Sequence, residues 1–97
     1  MEAFQVAPRA VRDIHDIYDY IERQSPQNAR LVVSRIYSAS QDIAATPKLG
    51  HPVSELKTNI RIFEVGGFYL IYDPGTRPLT ILRVVRVTRN LNRIRLI

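Results

Sequence analysis

Two glycines side by side, Gly66 and Gly67, separate the apolar runs Asn59–Val65 and Phe68–Asp73. A two-residue Gly-Gly link between such runs predicts a type I′ hairpin, because both turn positions need positive φ. The turn fixes the pairing: Val65 opposes Phe68, Glu64 opposes Tyr69, Phe63 opposes Leu70, Ile62 opposes Ile71 and Arg61 opposes Tyr72. Asp73-Pro74-Gly75 and Arg77-Pro78 mark a second turn, and Leu79–Val87 reads as a third long strand.

Upstream the period changes. Val11, Ile14, Ile17, Tyr18 and Ile21 recur at helical spacing after Pro8, which fits a first helical turn, so a helix over 8–23 is expected. Asp13, Asp16, Asp19, Glu22 and Arg23 are assigned to its outer face. Ser25-Pro26 is an N-cap followed by a proline at the first helical position, and a second helix over 26–45 ends at Thr46-Pro47. So short a link folds the two helices into an antiparallel hairpin. Residues 47–58 read as a loop, and 3–7 as an edge strand. The expected architecture is α+β: an N-terminal edge strand and a two-helix hairpin packed on one face of a C-terminal three-stranded antiparallel sheet. The 97 residues suit a single domain over 1–97, with 88–97 as a basic tail carrying apolar teeth at Leu91, Ile94, Leu96 and Ile97.

Charge is unevenly spread. Residues 1–58 balance seven Lys or Arg against seven Asp or Glu. Residues 59–97 carry seven arginines against Glu64 and Asp73, so the whole net charge of +5 sits there. Arginine is suited to bidentate contacts with phosphate or carboxylate, and a basic half implies an anionic partner. The chain contains no cysteine, which rules out disulfides and thiolate metal sites. His15 and His51 are too few and too far apart for a metal cluster, so no metal and no cofactor are expected. No run approaches a membrane span and the N-terminus lacks a signal-peptide pattern, which makes a cytoplasmic protein the expectation.

Both faces of the hairpin are largely apolar, whereas a solvated face should read polar. One carries Arg61, Phe63, Val65, Phe68, Leu70 and Tyr72; the other carries Ile60, Ile62, Glu64, Tyr69 and Ile71. Strict alternation puts Ile81, Arg83, Val85 and Val87 on one side of the third strand. Arg61, Tyr72 and Arg83 are assigned to the face that the helices leave open, since unpaired guanidinium groups buried beneath helices would be costly. An open greasy face with arginines suits a protein segment carrying apolar and acidic residues. The alternative is that the C-terminal tail folds back over that face.

The segments DIHDIYDYIERQSPQNA, ATPKLGHPV, IRIFEVGGFYLIYDP and ILRVVRVTRNL together resemble the RelE/ParE superfamily of type II toxins, from about residue 4 to residue 91, and read closer to ParE. The resemblance implies a toxin neutralised by a cognate antitoxin that wraps its sheet and helix hairpin, often in a heterotetramer. Phe63, Val65, Phe68, Leu70, Ile81 and Val85 are the expected antitoxin contacts.

Two activities follow from the resemblance. ParE-type toxins inhibit DNA gyrase and are not hydrolytic; RelE-type toxins cut mRNA on the ribosome. RNA cleavage needs groups that move protons as well as cationic stabilisation of the phosphorane. Arg61 and Arg83 match the sheet arginines of the family, and Tyr72 is the best-placed proton-transfer group beside Glu64 and Tyr69. The stretch after the last strand, where active ribonucleases often place His or Tyr, reads Arg86-Val87-Thr88-Arg89. Guanidinium groups stay protonated and make no acid or base. The expectation is therefore gyrase inhibition, with Arg61, Tyr72, Arg83, Arg86 and Arg89 as catalytic or target-binding residues and Arg93 and Arg95 as basic tail contacts; the alternative partner is the ribosome with its mRNA.

Overall fold

The computed structural model describes residues 3–57 and 59–96. Strand β1 (Phe4–Val6) leads into helix α1 (Pro8–Glu22), with Pro8 in its first turn. Ser25 caps helix α2 (Pro26–Ala45): its Oγ accepts from the Asn28 N–H at 3.2 Å, satisfying one of the donors that a helix start leaves free. Helix α2 stops at Thr46, before Pro47. The buried Ser40 hydroxyl donates to the Ile36 carbonyl at 2.8 Å, so it lies in the core without an unmet polar group.

Strands β2 (His51–Pro52), β3 (Arg61–Val65), β4 (Phe68–Asp73) and β5 (Leu79–Arg86) complete a five-stranded mixed sheet of order β1-β5-β4-β3-β2. The hairpin register is the one the Gly-Gly turn dictates, from Val65–Phe68 to Arg61–Tyr72. Gly66 and Gly67 have φ of 58° and 88°, as a type I′ turn requires. The expected N-terminal edge strand joins the three C-terminal strands, and a further short strand widens the sheet. β1 pairs parallel with β5, Phe4 against Leu79 and Val6 against Ile81. Residues 51–52, expected to be loop, pair with Ile62 and Arg61.

Each sheet face has its own core, and the helices cover the opposite face from the one expected. Beneath α1 and α2 lie Phe68, Leu70, Tyr72, Leu79, Ile81 and Val84, with Phe63 and Val65 packed at the edge. They meet Ala10, Ile14, Ile17, Ile36, Ala39 and Ile43 from the helices. On the far side Ile60, Ile62, Ile71 and Val85 are covered by Val53, Leu56, Leu91, Ile94 and Leu96. The second face is therefore filled by the loop around Val53 and Leu56 and by the tail that folds back, and among the described residues no open apolar sheet face remains. The tooth expected at Ile97 lies outside the described residues.

This reversal buries four of the six expected antitoxin contacts and leaves Phe63 and Val65 partly exposed. Phe68, Leu70 and Ile81 are at most 3% exposed beneath the helices, Phe63 and Val65 are half-buried there, and Val85 is buried under the tail. They are parts of the chain's own cores. A β-bulge also breaks the strict alternation expected of β5. Ile71 pairs with Arg83 but Tyr72 pairs with Ile81, so Leu82 is an extra residue. Ile81 and Val84 consequently both face the helices, while Leu82 and Val85 face the tail.

Candidate functional site

Arg61 and Tyr72, cross-strand neighbours on β3 and β4, grip the turn that leaves α2. The Tyr72 ring is fully buried; its hydroxyl donates to the Pro47 carbonyl at 2.8 Å and accepts from the Gly50 N–H at 2.9 Å. Arg61 donates from Nε and Nη2 to the Gly50 carbonyl at 3.0 and 2.8 Å, and from Nη2 to the Lys48 carbonyl at 3.4 Å. Gly50 has no room for a side chain: a Cβ there would sit 2.3 Å from the Ile62 carbonyl oxygen and 2.7 Å from the Tyr72 hydroxyl oxygen. Pro47-x-x-Gly50 is thus a clamp site, and Tyr72 spends its hydroxyl within it.

Arg83 is 3% exposed. Its Nε and Nη2 donate to the two carboxylate oxygens of Asp13 on α1, at 2.7 and 3.2 Å. Its Nη1 donates to the Arg95 carbonyl in the tail at 2.7 Å. Asp13 accepts further from the Val84 N–H at 3.0 Å and from Arg9 at 2.6 Å. A bidentate pair with these extra hydrogen bonds meets the condition under which two charges can be held in an interior. Arg83 stands opposite Ile71, on the face away from the helices as expected, and Asp13 of α1 meets its charge there.

Asp13, expected on the outer face of α1, is buried instead. The signal was present in the spacing: it stands beside Ile14, three residues after Ala10 and four before Ile17, on the apolar stripe. The structure does not join Arg61 to Arg83. Strand β4 separates their strands, which places the two backbones about 9–10 Å apart at ordinary strand spacing.

Four further arginines follow in sequence from the end of β5 into the tail. Arg86 is exposed and its guanidinium lies 5.1 Å from the Tyr20 ring centre and 5.2 Å from that of Phe68. Two aromatic faces hold the cation in place without neutralising it. Arg86 and Arg89 border a groove of about 390 Å³ that also touches Asp16, Tyr20 and Val85. Arg89 is exposed, as are Arg93 and Arg95 in the tail, where Arg95 lines a second groove with Glu55, Leu56 and Lys57. Among the described residues, no carboxylate lies within 4 Å of any of these four guanidinium groups. Glu64, His15 and His51 are exposed on other elements, and Tyr69 packs against the tail-side core. No three His, Cys, Asp or Glu side chains among the described residues cluster as a metal site would require. Nor is any described helix long and apolar enough to cross a membrane.

Comparison with known proteins identifies this architecture. A family model described as the ParE toxin of the type II toxin–antitoxin system parDE matches residues 4–91. A comparison with curated proteins gives no match. Solved structures that match include one titled "Chromosomal ParDE TA system from P. aeruginosa", 23% identical, covering 90% of this chain and 97% of that one with a TM-score of 0.73. That likeness is one of fold: two N-terminal helices on a five-strand mixed sheet. With nearly its whole length matched by the family model, the chain belongs to the ParE toxins of type II toxin–antitoxin systems, whose cognate partner is a ParD antitoxin.

Proposed function

We propose that this toxin acts in the cytoplasm by inhibiting DNA gyrase without hydrolytic chemistry, docking through the arginines at the end of β5 and in the tail, and that its antitoxin neutralises it. One observation carries the reading: Arg83 and Tyr72, which ribonuclease chemistry would need free, are spent on the fold, whereas four exposed arginines have no acidic partner among the described residues. Arg83 is buried between Asp13 and the Arg95 carbonyl. Tyr72 is buried between Pro47 and Gly50. Arg86 and Arg89 border one groove and Arg93 and Arg95 are exposed on the tail, which together suit an anionic surface such as gyrase with its bound DNA.

Purified gyrase relaxes or supercoils a plasmid in plain view on a gel, so the test is direct. Toxin added to the supercoiling reaction stops it, and equimolar antitoxin restores it. Unimpaired supercoiling at excess toxin, together with new mRNA 5′ ends on translating ribosomes, would replace this reading with the ribonuclease one. Replacing Arg86 and Arg89 by glutamine weakens inhibition and reduces its sensitivity to salt, because fewer counterions are released on docking.

A further inference from the structure

The tail is fixed by two kinds of contact that do different work. Residues 91–93 form a 3-10 turn capped by the Asn90 side chain, and the chain then runs extended through Ile94. Leu91, Ile94 and Leu96 press on Ile60, Ile62, Ile71 and Val85. Such burial is non-directional: it holds the tail down but does not choose which residues face inward. In an extended segment a slip of one residue exchanges the two sides. Here that slip would turn Ile94 and Leu96 outward and press Arg93 and Arg95 onto an apolar sheet. The Arg83 hydrogen bond to the Arg95 carbonyl is directional, and its donor is immobile, since Asp13 grips the same guanidinium from α1.

We infer that Arg83 is a positioning residue for target binding: it sets the register of the C-terminal tail and so determines that Arg93 and Arg95 face outward. The inference rests on reading the tail as part of the target-binding surface. It assigns Arg83 no contact with the target. The guanidinium fork is essential because three nitrogens point to two different elements at once; a lysine amine could pair with Asp13 but could not also hold Arg95 in place.

The test uses the full-length toxin with Arg83→Lys. Tryptic cleavage after Arg93 and Arg95, followed by mass spectrometry, speeds at least tenfold, while amide exchange at Leu70 and Val84 stays as in the parent. Inhibition of gyrase supercoiling weakens about tenfold but keeps the parent's salt dependence, since every tail charge is still present. Arg93→Gln with Arg95→Gln, by contrast, flattens that dependence. Tail cleavage at the parent rate overturns the inference, and so does a freed tail with undiminished inhibition. A parent protein that leaves supercoiling untouched defeats the gyrase reading instead, with the cleavage arm still deciding whether Arg83 seats the tail. Should Arg83→Lys not fold, the parent decides by NMR: the Arg83 Nη1 protons exchange together with the Ile94 amide and faster than the Val84 amide. Exchange of the Nη1 protons uncoupled from Ile94 overturns the inference.

Discussion

The two faces of the sheet are equally greasy but are covered in different ways. One lies beneath two helices of 15 and 20 residues joined by a tight hairpin. The other lies beneath the residues that follow β2, Val53 and Leu56 among them, and a short tail. The helix side is part of a cooperative unit in which α1, α2 and the sheet bury one another. The tail side is a cover whose removal leaves the helices and the sheet in contact. Local opening is expected where backbone hydrogen bonds are few and the buried area small, so the tail should open well before the helix layer does.

The largest expected effect falls on the contact that links the two sides. Asp13→Ala strips a buried guanidinium of its charge partner and should cost about 3–5 kcal/mol, measured by urea unfolding. Loss of under 1 kcal/mol would mean that Arg83 escapes to water and that the faces are not coupled. Leu70→Ala, fully buried beneath the helices, should cost about 2–5 kcal/mol. Ile94→Ala, at the edge of the tail-side core, should cost less, about 1.5–2 kcal/mol, and should raise amide exchange in the tail without doing so in α2. Equal costs at the two positions would break the comparison. The smallest effect is that of Ser25→Ala, about 1 kcal/mol from the lost helix cap, seen as a lower Tm with the tail's exchange unchanged.

Sequence reasoning recovered what is locally encoded. The Gly66-Gly67 turn set five cross-strand pairs, and Ser25-Pro26 and Thr46-Pro47 set the bounds of α2. It also grouped Arg61, Phe63, Val65, Phe68, Leu70 and Tyr72 on one face. Which face the helices take was not legible, because both are apolar and the deciding partners lie far away in sequence. Asp13 stands seventy residues from Arg83, and Gly50 twenty-two from Tyr72. Arg83 can be buried because Asp13 reaches it from α1, and nothing near Arg83 in the sequence announces that counter-charge. Nor does any residue type announce the bulge at Leu82, which moved Arg83 and Val85 out of phase with Ile81.

Strand β5 has one more consequence. β1 accompanies it only from Leu79 to Ile81, so its later residues form a bare margin on that side of the sheet. A bare margin invites the strand of a neighbouring molecule and, with it, polymerisation. The Asp13 carboxylate occupies the Val84 amide there, and the Arg86 cation stands close by, so a foreign strand would meet a blocked donor and a charge. The same carboxylate that balances a buried cation thus also takes up an edge donor that an incoming strand would need.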